Sequence, residues 1–191
     1  QFLAATGSAF FSAAIDVDGK VVLWGGTALP GADFAAIIGI GSPPGKFTAI
    51  AARGRYIIAL SEDGRIYGWG VDPGTLMGQP EGAFRSWARD QHGYMIAPAA
   101  AGGHPYTAIA AGLDHVEALS ADGSVAIWKG PTNLIPDPPG IAFTKTAAGA
   151  RFGAGIDQAG HIHVWADPTL PAAGVLTAVP PGCYSDISAA T

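Results

Sequence analysis

Apolar and small or polar positions alternate along this chain in short runs, and each run is closed by a glycine. Val125-Ala126-Ile127-Trp128 is one such run, and its period of two is that of a strand with two packed faces. Four times an Asp-Gly or Ala-Gly pair is followed, five residues on, by tryptophan. The glycines are Gly19, Gly64, Gly123 and Gly160, and the tryptophans are Trp24, Trp69, Trp128 and Trp165. Positive φ at such a glycine suits a tight hairpin. Upstream of each hairpin lies a small-residue strand, such as Ile50-Ala51-Ala52 or Ile109-Ala110-Ala111. Each unit therefore reads strand, Gly-containing turn, strand, hairpin, strand. Aromatic and β-branched residues alternate and turns recur too often for helices.

The second and third units align over their full length. Phe47-Thr48-Ala49-Ile50-Ala51-Ala52 corresponds to Tyr106-Thr107-Ala108-Ile109-Ala110-Ala111, and Tyr56-Ile57-Ile58-Ala59-Leu60 to His115-Val116-Glu117-Ala118-Leu119. The fourth unit opens on Phe143-Thr144, whereas the first has only Gln1-Phe2 there. Repetition at this period means one supersecondary unit used many times. The repeats run 1–46, 47–105, 106–142 and 143–182, as one domain over 1–191. Residues 183–191, with Tyr184-Ser185-Asp186-Ile187, match the opening strand of a fifth repeat. The four repeat tryptophans are expected in the core, and Trp87, outside the register, is expected to be more exposed than any of them.

These units resemble the regulator of chromosome condensation repeat, a β-propeller blade family. The third unit follows the family pattern from Tyr106 to Trp128, including His115; the second follows it from Phe47 to Gly70, with Tyr56 in the histidine's place. Gly74 to Gln79 is a loose echo of the family's ending. The resemblance implies an all-β fold, a propeller. Family wheels mostly have seven blades, about 330 residues at about 45 per blade, and this chain has 191. Four hairpins against five opening strands imply four blades of a larger or multi-chain wheel. On this reading the strand from Tyr184 to Ala190 pairs outside its own four blades, or the chain is a fragment. Nucleotide-exchange factors and a β-lactamase inhibitor are family members, but the loops carrying those functions have no match here.

Composition narrows the function. Only 13% of residues are charged, about half the usual share, and the net charge is −5. The ten Lys and Arg are scattered, so no basic stripe marks a nucleic-acid partner. No apolar run is long enough to span a membrane, and Phe2 to Ile15 lacks the basic leader of a signal peptide. Cys183 is the lone cysteine, which excludes internal disulfides and a Cys-based metal cluster.

Candidate chemistry is sparse. His161 and His163 share one strand face but have no evident third metal ligand. Asp16, Asp18, Asp63, Asp122 and Asp157 sit at or near hairpins, where Asp favours the turn. No nucleophile elbow, phosphate loop or paired catalytic carboxylates occur. The expectation is a protein without catalytic residues, cofactor, metal or evident small-molecule substrate. The exception is the long insert from Val71 to Pro105. It gathers Arg85, Trp87, Arg89, His92, Tyr94 and Met95, residue types that dominate interface hot spots. Those six are the candidate partner-binding residues; the competing reading folds the loop onto its own blade with Trp87 buried. The expected function is a non-enzymatic binding scaffold whose rim loops engage a protein partner. The alternatives are a structural subunit of a filament, coat or virion, which meets further copies of itself, and the non-catalytic part of a longer multidomain protein.

Overall fold

The computed structural model describes residues 1–25, 41–70, 82–130, 133–170 and 178–189. The Gly74 to Gln79 echo and Ala190 lie outside these residues. The described residues form antiparallel sheets that follow the repeats. Blade one is β1 (Phe2–Gly7), β2 (Phe11–Asp16) and β3 (Val21–Gly25). Blade two starts with β4 (Phe47–Arg53), β5 (Tyr56–Ser61) and β6 (Ile66–Gly70). The insert then adds β7 (Ala88–Arg89) and β8 (Met95–Ile96), in the order β4-β5-β6-β8-β7. Blade three is β9 (Tyr106–Ala111), β10 (His115–Ser120) and β11 (Val125–Lys129). Blade four is β12 (Phe143–Ala148), β13 (Phe152–Asp157) and β14 (Ile162–Ala166). This is an all-β propeller arrangement of four blades.

The central strands β5 and β10 are buried at every position. They pack on neighbours through both faces, so β5 reads as a nearly continuous apolar run, whereas β10 buries the polar His115, Glu117 and Ser120. The opening strands β1, β4, β9 and β12 neighbour each other in succession. Their Ala-rich sequences let the backbones approach.

The aromatic-Thr pair has a physical role. In every blade the opening strand slips register immediately after its first residue, at Phe2, Phe47, Tyr106 and Phe143. The residue passed over is Thr48, Thr107 or Thr144 in the last three blades. Each donates its hydroxyl to a carbonyl of the central strand: Leu60 at 3.4 Å, Leu119 at 3.3 Å and Ile156 at 3.1 Å. The bulge leaves backbone groups out of the ladder, and the threonine satisfies one of them. Leu3 occupies this place in blade one and is exposed.

The hairpin glycines Gly19, Gly64, Gly123 and Gly160 have φ between 76° and 86°. Their carbonyls accept the N–H of the next unit's opening aromatic, Phe47, Tyr106, Phe143 and Tyr184, at 2.9, 3.2, 2.8 and 2.7 Å. Tyr184 thus stands where the sequence places the first residue of a fifth repeat. Residues 183–189 nevertheless form no strand ladder. An opening strand is held by its own central strand, and none lies alongside among the described residues. The segment is tied instead by a 2.8 Å ion pair from Asp186 to Lys145 of blade four.

Two expectations about tryptophan are corrected. Trp69 and Trp165 are each 2% exposed, but Trp128 is only half-buried and Trp24 is 46% exposed. The cause is directional. Each repeat tryptophan faces the preceding blade: Trp69 packs with Phe11 and Ile15 of blade one, Trp128 with Ile58 and Leu60 of blade two, and Trp165 with Leu119 of blade three. Trp24 occupies the same register on β3, and among the described residues no preceding blade covers its side of blade one. Phe2 stacks there, with ring centroids 6.2 Å apart. Trp87, expected to be more exposed than all four, is 5% exposed, so it exceeds Trp69 and Trp165 but is better buried than Trp24 and Trp128.

Candidate functional site

The described part of the insert is built onto blade two. Gly68 on β6 leaves a depression, since a Cβ there would lie 2.8 Å from both Phe84 and Trp87. Phe84 and Trp87 fill it, their rings 4.6 Å apart. Trp87 then meets Trp128 of blade three edge to face at 5.2 Å, so it bridges two blades. Tyr94 packs edge to face on Trp69 at 5.9 Å. Burial pushes the Tyr94 hydroxyl pKa upward, with the Asp90 carboxylate adding to the rise.

The tip between β7 and β8 repeats the hairpin chemistry of the blades. Asp90 Oδ1 accepts the N–H groups of His92 and Tyr94, each at 2.9 Å. Asp16 and Asp157 serve their own turns in the same way. Arg89 Nη1 donates to the Gly93 carbonyl at 2.9 Å. Of the six residues singled out in the sequence, Arg85, Arg89 and His92 are exposed, Met95 is half-buried, and Trp87 and Tyr94 are in the core. The outward face of the insert is therefore cationic and polar, with its aromatics turned inward as anchors.

A second cluster lies at the joint of blades three and four. Glu117 is 0% exposed, at a position that is Ala13, Ile58 or Ala154 in the other repeats. Its Oε1 accepts the Trp165 indole N–H at 2.7 Å, and its Oε2 the Thr146 hydroxyl at 2.9 Å. His115, also 0% exposed, lies 3.4 Å from Glu117 and 3.3 Å from Asp114. Burial alone depresses the His115 pKa, but the hydrogen bond with Asp114 and the adjacent Glu117 carboxylate outweigh it and leave it raised. Gly153 makes room, because a Cβ there would overlap Glu117 Oε1 and Trp165 Nε1. Sequence reasoning singled out His115 and passed over Glu117. Its signal was visible, as an acid at a position that is apolar in every other repeat. The cluster is sealed from solvent and joins blades.

His161 and His163 both turn to Asp157, at 3.5 and 2.9 Å from Oδ2. The His163 hydrogen bond is the main cause that lowers the Asp157 pKa to about 2. Among the described residues no three His, Cys, Asp or Glu side chains converge as metal ligands.

The chain matches no protein-family model and no curated protein sequence. It is similar to several solved structures. Human WBSCR16 superposes with a TM-score of 0.70 at 17% identity, over 100% of this chain and 56% of that one. Yeast RCC1 (Prp20), in its complex with Kap60, gives 0.65 at 16%, over 86% and 43%. The CRINKLY WD40 ectodomain of the Arabidopsis thaliana receptor kinase ACR4 gives 0.60 at 20%, over 87% and 51%. The chain thus spans about half the length of the solved propellers it matches. Its fold is a β-propeller of repeats, similar to the solved propellers of the regulator of chromosome condensation type.

Proposed function

We propose that this chain is a non-enzymatic, protein-binding propeller scaffold whose principal contact surface is the insert of blade two, between Val71 and Pro105. The observation that carries this reading is the division of labour within the insert. Trp87 is held between blades two and three and Tyr94 packs on Trp69 of its own blade, so Arg85, Arg89 and His92 are presented on a rigid support, with Met95 at its edge. Presentation on an ordered element reduces the entropy lost on binding. The similar yeast RCC1 is itself bound to Kap60. In the test, the double variant Arg85→Ala/Arg89→Ala is compared with the parent in affinity capture followed by calorimetry on the captured protein. Binding weakened about tenfold or more, with an unchanged fold by circular dichroism, supports the reading; equal affinity rejects it.

A second reading, a subunit of a larger assembly, is favoured by the open side of blade one. Phe2, Val22 and Trp24 are exposed there, on the side that the other three blades bury against a neighbour. Sedimentation across a concentration series, with Trp24→Glu as the control, tests it. A mass equal to one chain at every concentration rejects it.

A further inference from the structure

The turns between first and second strands of blades one, two and three meet at one end of the arrangement. They enclose an open trough of about 630 Å³, lined by Ser8, Phe10, Arg53, Arg55 and Leu113 among others. We infer that this trough is a binding site for a protein segment that carries a carboxylate beside an apolar side chain, a site separate from the insert of blade two.

Charge supports it first. The protein is acidic, yet two arginines and, among the described residues, no carboxylate line the trough. The nearby Asp114 is 3% exposed and turned to His115. The hairpin acids Asp16, Asp18, Asp63, Asp122 and Asp157 lie at the opposite end of the strands. An acidic segment meets attraction at this end and repulsion at the other.

The second support is an unmet donor. Arg53 Nη2 is buried and, among the described residues, has no hydrogen-bond acceptor. A charged donor already stripped of water gains more from an arriving carboxylate than a solvated one would. The third is apolar surface beside the charge. Arg55 lies over the Phe10 ring at 5.5 Å, a ring that is 39% exposed, and half-buried Leu113 completes the wall. Carboxylate on arginine and apolar side chain on Phe10 and Leu113 describe one ligand. The trough is open and crosses the turns of three blades, which fits an extended chain better than an enclosed small molecule.

The test uses a fluorescein-labelled peptide of alternating Asp with Phe and Leu, and the same peptide with Asn for Asp, followed by anisotropy at low salt. The acidic peptide should bind saturably and the Asn peptide at least about tenfold more weakly. Arg55→Glu should cost the acidic peptide a similar factor, with the fold intact by circular dichroism. Arg53→Gln, also checked for fold, is the second variant. No binding of the acidic peptide at millimolar concentration overturns the proposal. Equal binding of the two peptides does so too, as does affinity unaffected by both arginine variants. Phenylacetate displacing the peptide at a concentration equal to the peptide's own Kd overturns the choice of a protein segment.

Discussion

The indole N–H of Trp165 donates to Glu117 across the joint of blades three and four, 2.7 Å from Oε1. Among the described residues the equivalent Trp69 buries its indole N–H without an acceptor, whereas here the indole finds a carboxylate that also accepts from Thr146 and lies 3.4 Å from His115. Buried charge is tolerated when it is paired and hydrogen-bonded on all sides.

Removing that acid should be costly. Glu117→Ala strands the Trp165 indole and the charge on His115, and should lower stability by about 3–5 kcal/mol. Gly153→Ala should destabilise too, because its Cβ overlaps the carboxylate. The double variant should cost less than the sum of the two, since the overlap with the acid disappears and only that with the Trp165 indole remains. Urea denaturation of the three variants measures this, and strict additivity would contradict it.

The same joint should respond to pH on the alkaline side. The His115 pKa is raised on folding, so the charged ring contributes stability that is fully present below the unfolded value, about 6.5. That stability is lost as pH rises through the higher folded value. Urea midpoints should therefore fall from pH 6 to pH 9, and His115→Gln should flatten that fall. An equal slope in the variant would rule out His115 as its source.

The tryptophans should divide by what covers them. Trp87→Ala should cost about 3–5 kcal/mol, the range for a buried aromatic. Trp24→Ala should cost less than about 1 kcal/mol, as at an exposed site. Denaturation of the two variants under one set of conditions gives the ranking, and the reverse order would show that the side of blade one bearing Trp24 is covered in solution.

The bulge threonines should matter through the hydroxyl alone. Thr107→Val keeps the shape and removes the donor to the Leu119 carbonyl, a loss of about 1 kcal/mol. Leu3→Thr places the same donor in blade one and should stabilise it. Thermal unfolding of both variants checks the two signs.

Much of this architecture is legible in the sequence, because hairpin glycines and tryptophans at fixed spacing report local geometry. The blades follow from them, and even Tyr184 falls where the fifth opening predicts. Which tryptophans are buried is not legible, since Trp24 and Trp69 have the same local sequence role and differ only in what lies against them. The insert was ambiguous for a related reason. Trp87 and Tyr94 have the composition of an interface, and a loop folded onto its own blade needs the same residues as anchors. Glu117 escaped notice because a charge at a core position shows only when repeats are compared column by column.

The link from each hairpin glycine to the next opening aromatic runs through backbone atoms only, N–H to carbonyl. Such a seam makes no demand on which side chains follow it. A repeat can therefore be copied or deleted as a cassette by in-frame recombination between hairpin glycines, with the seam re-formed on either side. Blades three and four are the exception. Glu117 and Gly153 fit only each other, so a crossover between them leaves an acid without its cleft. The expected heritable unit is that pair, and Trp87 against Trp128 ties blade two to it.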